Sequence, residues 1–109
     1  LTARGGASFL CVIKDFGRKG RGVLSFPRPG ITLALDIAVR DDTQALVDAL
    51  NEQVLEEGGR IYLAKDSFTR REHFEAMEGE RLVEFQAIRD RWDPERRFRS
   101  AQSARLMGD

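Results

Sequence analysis

Residues 31–40 read Ile31-Thr32-Leu33-Ala34-Leu35-Asp36-Ile37-Ala38-Val39-Arg40. Five branched apolar side chains recur at every second position, and small or polar residues fill the gaps. That period predicts a strand over 31–40 with Ile31, Leu33, Leu35, Ile37 and Val39 against a core. The opposite face, with Thr32 and Ala34, suits plain solvent or the space a ligand needs. Upstream, residues 8–14 (SFLCVIK) are rich in β-formers and predict a second strand. There Phe9, Cys11 and Ile13 share one face, and Leu10, Val12 and Lys14 share the other. Between the strands lie a glycine-rich basic loop at 15–22, a brief extended piece at 23–26, and the turn Pro27-Arg28-Pro29-Gly30.

Downstream, Asp41 or Asp42 is placed to cap a helix over 43–57 whose buried stripe is Leu46, Val47, Leu50, Val54 and Leu55. Gly58-Gly59 supplies the positive φ that ends it. Residues 60–64 predict a short strand. Ser67 or Thr69 is placed to cap a helix through Met77, with Glu72 completing a capping box from Thr69, and Gly79 breaks that helix. Leu82, Phe85, Ile88 and Trp92 predict the next helix, stopped at Asp93-Pro94. Phe98 reads as an isolated apolar anchor, and Ser100 opens a last helix through Leu106. The fold class is therefore α+β: antiparallel strands packed on a helix, followed by short C-terminal helices. Neither half offers many large apolar side chains, which points to a piece of a larger protein.

Composition narrows the function. The 18 basic and 18 acidic side chains cancel, which gives no reason to expect nucleic acid or an anionic membrane as partner. No apolar run approaches a membrane span, and the default location is cytoplasmic. The charges are uneven: acidic residues cluster over 41–57 and arginines over 89–105. Such runs are either solvated helix faces or a surface complementary to another part of a parent protein. Cys11 is the only cysteine and reads as buried filler. His73 is the only histidine, and no ligand spacing around it predicts a metal site. Three lysines stand against fifteen arginines. Lys14 and Lys65 each end a predicted strand, where a lysine either snorkels to water or presents a compact cation to a cleft.

Five segments carry a resemblance in order and spacing. They are residues 8–17, residues 24–30, the strand from Ile31, residues 58–66 (GGRIYLAKD) and residues 93–100 (DPERRFRS). Together they resemble the C-terminal portion of decaprenylphosphoryl-β-D-ribose oxidases. These are flavoenzymes of the vanillyl-alcohol oxidase type, a group that includes sugar-lactone and alditol oxidases. The resemblance implies that residues 1–59 end a substrate-binding domain and that residues 60–109 return to an FAD-binding domain. It implies FAD as cofactor, held mostly by a separate N-terminal portion, and a sugar or alcohol as substrate. Lys65 and Lys14 match active-site lysines, and Tyr62, with Lys65, lies beside the flavin. Lys14, Thr32 and Ala34 fall on the substrate side, which favours the pocket reading of that face. Ala34 stands where some relatives carry a thiol, and Gly79-Glu80-Arg81 where many carry Tyr-Pro-Arg. Alone, such a piece is expected neither to keep flavin nor to turn over. Two alternatives stand beside this reading: a sugar-lactone or alditol oxidase piece with the same fold and cofactor, and a small non-catalytic binding domain, with homo-oligomerisation to hide apolar surface.

Overall fold

A computed structural model describes residues 10–109. The two strands form β1 (Cys11–Phe16) and β2 (Gly30–Leu35), joined antiparallel in a two-stranded sheet. Ser8 and Phe9, the expected start of the first strand, lie outside the described residues. The register runs from Cys11 opposite Leu35 to Phe16 opposite Gly30. The connection folds on itself through Gly20 N–H to the Pro27 carbonyl at 3.1 Å. At Gly20 a Cβ would lie 1.8 Å from Ser25 Oγ, so only glycine fits.

The second strand is shorter than its sequence pattern predicts. It ends at Leu35, opposite Cys11, and the Asp36 amide reaches the Leu10 carbonyl at 3.4 Å. Beyond it the chain is drawn out of the sheet by a turn. The Arg40 amide donates to Thr43 Oγ1 at 2.7 Å, and the Thr43 amide donates to the Arg40 carbonyl at 3.1 Å. That turn opens α1 (Thr43–Glu56). Asp42 occupies the cap position but its carboxylate accepts no cap hydrogen bond. The C-terminus ends as its glycines predict: Gly58 has φ 62°, and Gly59 N–H returns to the Val54 carbonyl at 2.6 Å.

Residues 60–64 are not a strand. Tyr62 is extended, but the chain then closes into a 3-10 turn over Leu63–Lys65. A strand needs a ladder partner, and here the Leu63 carbonyl is taken by a side-chain amide, that of Gln102, at 2.6 Å. The helices α2 (Arg71–Glu78) and α3 (Glu80–Trp92) are separated by Gly79 at φ 50°. Thr69 does not cap α2. Its amide donates to Asp66 Oδ1 at 2.9 Å and its hydroxyl accepts from Asn51, so Arg70 is left at the cap position. The last helix, α4 (Ala101–Met107), does start on Ser100. Ser100 and Ser103 exchange side-chain to backbone bonds in a reciprocal cap, and Gly108 closes the helix at φ 79°.

The core lies among the helices. Phe74 and Leu106 are fully buried, Leu82 is nearly so, and Leu24, Ile61, Leu63, Phe85 and Met107 pack around them. The central helix is α2, which packs against α1, α3 and α4. The α+β class stands, but the sheet is not layered on α1. Ile13, Ile31 and Leu33 face outward, Ile31 at 75% exposure, and Cys11 is exposed rather than buried. Among the described residues the helices cover one another instead of the sheet. The expected stripe on α3 also turns outward beyond Phe85, with Ile88 and Trp92 exposed. Phe98 is 83% exposed and anchors nothing with its ring. Its amide is held by Asp93 Oδ2 at 3.0 Å and its carbonyl by Arg89 at 3.0 Å. No helix is long and apolar enough to cross a membrane among the described residues.

Candidate functional site

The hairpin gathers three of the expected site residues. Lys14 and Thr32 are direct cross-strand partners, and Val12 pairs with Ala34 two positions along. Opposed residues in an antiparallel pair project to the same side, and so do residues two apart. One face of the sheet therefore carries Val12, Lys14 and Phe16 beside Thr32 and Ala34. Small side chains on β2 leave the Lys14 stem and ammonium uncovered, and Lys14 is exposed.

From this face a series of rings leads to Tyr62. Phe16 meets Phe26 edge-on, with centroids 5.7 Å apart and planes at 86°. Phe26 meets Tyr62 at 5.1 Å with a 45° tilt. Edge and tilted contacts are the favoured geometries for aromatic pairs. The loop that supplies Phe26 is held by two arginines. Arg81 donates through Nε to the Val23 carbonyl at 2.7 Å and through Nη2 to the Ser25 carbonyl at 2.8 Å. Arg60 adds a third bond to the Ser25 carbonyl at 3.2 Å. Burial and the neighbouring Arg81 charge lower the Arg60 pKa, while Glu78, 2.7 Å from Arg81, offsets part of that positive field.

Tyr62 precedes the 3-10 turn and Lys65 is its last residue, both exposed. The Tyr62 ring is 51% exposed, so one part rests on Phe26 and the rest is open. Next to Lys65, Asp66 is bound on every side. Burial alone would raise its carboxyl pKa. Hydrogen bonds from the Thr69 hydroxyl, Arg105 and the Thr69 amide outweigh this and hold it below the usual range. Asp66 thus stays ionised and fixed beside Lys65.

An open aromatic face with an exposed lysine three residues along the chain suits stacking on a planar ring beside a cation. Lys14 and Thr32 offer hydrogen-bond donors suited to hydroxyl groups. The arrangement has no phosphate cradle in its sequence, and no group of three metal-ligating side chains gathers among the described residues. His73 lies away from these residues, with Nδ1 buried and 4.0 Å from Asp48 Oδ1. Lys14, Thr32 and Ala34 come together through the strand register. Tyr62, which Lys65 follows by three residues in the chain, joins them through Phe16 and Phe26, two rings that residue-type reasoning passes over. Their signal was present, since both stand in segments that carry the family resemblance. Gln102 had no such signal.

Comparison with known proteins gives the same direction. Over 92% of its length the chain is 42% identical to the decaprenylphosphoryl-beta-D-ribose oxidase of Mycolicibacterium smegmatis, and it spans 22% of that protein. Over 87% of its length it is 40% identical to an uncharacterized protein in the mprA 5' region of Streptomyces coelicolor, and it spans 26% of that one. The chain therefore spans about a quarter, or less, of these curated relatives. No family model matches it.

Proposed function

We propose that the chain forms the C-terminal part of an FAD-dependent oxidoreductase that oxidises a hydroxyl of a sugar or related alcohol. The observation that carries this reading is the 42% identity over 92% of the chain. In this reading residues 1–59 complete the substrate domain and residues 60–109 return to the FAD domain. The flavin, once bound, supplies the acceptor for a hydride from the carbinol carbon.

This chain's own residues prepare that transfer. Tyr62 offers its open ring face to the flavin. The Lys65 ammonium orients the substrate hydroxyl and offsets negative charge on the flavin edge, a stabilisation that grows as the transition state forms. Lys14 and Thr32 bind further substrate hydroxyls from the hairpin, and Ala34 leaves room beside them. Residues 1–109 alone, without the phosphate- and adenine-binding parts, hold no flavin and do not turn over.

The test is made on the full-length protein that carries this chain. Purified, it should show flavin absorbance, and its anaerobic bleaching by a panel of pentoses, alditols and sugar lactones identifies the substrate class. Lys65→Ala should slow that bleaching by on the order of 100-fold. Full-length protein without flavin, or a Lys65→Ala rate equal to wild type, removes the proposal.

A further inference from the structure

Lys65 sits on a support that cannot hold itself. A three-residue 3-10 turn has few internal bonds and poor bond geometry. Here those bonds are Lys65 N–H to the Tyr62 carbonyl at 3.0 Å and Asp66 N–H to the Leu63 carbonyl at 3.3 Å. The residues before and after Lys65 are instead tied to one face of α4. Gln102 Nε2 donates to the Leu63 carbonyl at 2.6 Å and reaches the Asp66 carbonyl at 3.4 Å. Arg105, one turn further along the same face, donates through Nη2 to Asp66 Oδ2 at 2.7 Å and through Nη1 to the Thr69 carbonyl. The Asp66 side chain is nearly buried under this contact, and Arg105 is largely covered. Leu106, fully buried between α2 and α3, fixes the helix that bears both residues. The Lys65 ammonium takes no part in these bonds and stays exposed.

We infer that Gln102 and Arg105 are positioning residues for Lys65, setting where its ammonium stands by clamping residues 63 and 66. The inference rests on the proposed role of Lys65 and extends it to α4, a helix that carries none of the proposed site residues. A pre-set cation works because its orientation costs nothing at the moment of reaction. A small displacement of such a group lowers rates out of proportion to the stability lost.

The test is a double-mutant comparison in the full-length, flavin-loaded protein, read by the flavin midpoint potential in a reductive titration and by amide exchange over residues 63–66. The potential needs no known substrate. Lys65→Ala should lower it, because a cation near the ring favours the reduced, negatively charged state. Gln102→Met and Arg105→Lys should each lower it by less and speed exchange of the Lys65 and Asp66 amides. Neither should lower it further once Lys65 is alanine. Two independent variants guard against one failing to load flavin. A lowered potential in Lys65→Ala with none in either α4 variant overturns the positioning role and leaves Lys65 standing. An equal shift from the α4 variants in both backgrounds also overturns it, since they would then act independently of Lys65. An unchanged potential in Lys65→Ala removes both ideas.

Discussion

Asn51 of α1 donates from Nδ2 to Thr69 Oγ1 at 3.0 Å, with both side chains closed off from water. The Thr69 hydroxyl in turn bonds Asp66, so one buried path runs from α1 to the residue beside Lys65. Thr69→Val keeps the shape but strands the Asn51 amide, and a buried donor left unpaired costs about 1–3 kcal/mol. Thr69→Ser keeps the hydroxyl and should cost less than about 1.5 kcal/mol, as the loss of a single buried methyl group does. Urea unfolding of the three proteins checks this. A valine variant as stable as wild type would mean the hydrogen bond contributes nothing.

Phe74 and Phe98 give opposite expectations for the same residue type. Phe74 is fully buried at the centre of α2, whereas Phe98 is 83% exposed. Phe74→Ala should cost about 3–5 kcal/mol through lost burial and the cavity left behind. Phe98→Ala should stay within about 0.5 kcal/mol, since its ties are made by its backbone. Thermal unfolding of the 109-residue chain separates the two. Similar losses at both positions would contradict the placement of the core among the helices.

How far the sequence reveals this molecule depends on where each decision is made. Helix ends decided locally were legible: Gly58, Gly79 and Ser100 act through their own φ or side chain. Alternation placed Thr32 and Ala34 on one face, and register alone then set Lys14 against Thr32. What failed was decided at a distance. Period two says which residues of 31–40 share a face, yet not whether anything covers that face, and Ile31 and Leu33 stand open. Residues 60–64 have strand composition, but the partner that settles their conformation is Gln102, some forty positions downstream. For the same reason the apolar spacing on α3 continues to Trp92 although burial ends near Phe85. At the candidate site, single residue types flagged the lysines, and only the resemblance supplied Tyr62. The rings of Phe16 and Phe26 that join the two segments needed coordinates.

The hairpin face yields a prediction about binding rather than chemistry. Lys14 and Thr32 are held together by strand pairing, distant in sequence from the Lys65 turn. If they serve substrate hydroxyls, Lys14→Ala in the full-length enzyme should raise KM by about tenfold, the value of one good hydrogen bond to a charged group. Its kcat should move by less than about threefold, because uniform binding is lost rather than transition-state binding. Thr32→Val should follow the same pattern more weakly. Steady-state kinetics on the best panel substrate decides, and a kcat loss with KM unchanged would transfer Lys14 to the reacting centre.

Asp109 gives the pH prediction. Its carboxylate receives Arg89 at 2.5 and 2.7 Å and is nearly closed off from solvent, with the Arg96 guanidinium at 4.0 Å. Arg89 chiefly, then the Ser103 hydroxyl, hold its pKa down from 3.8 to about 2, against the opposing effect of burial. Arg89 belongs to α3 and Asp109 follows α4, so this pair fastens the end of the chain to the helical core. As pH falls the unfolded chain takes up the proton first, because its carboxyl titrates at the ordinary value. The stabilisation is therefore complete above about pH 4 and is lost progressively down to about pH 2. Asp66, also depressed, adds a loss of the same sign in acid. Asp109→Asn should lower stability at neutral pH and show a shallower decline between about pH 4 and 2 than wild type, since the variant has no proton to take up there. Urea midpoints measured across that range test the claim. Parallel curves for the two proteins would show that Asp109 titrates alike in the folded and unfolded chain, and that the Arg89 contact does not fasten the terminus.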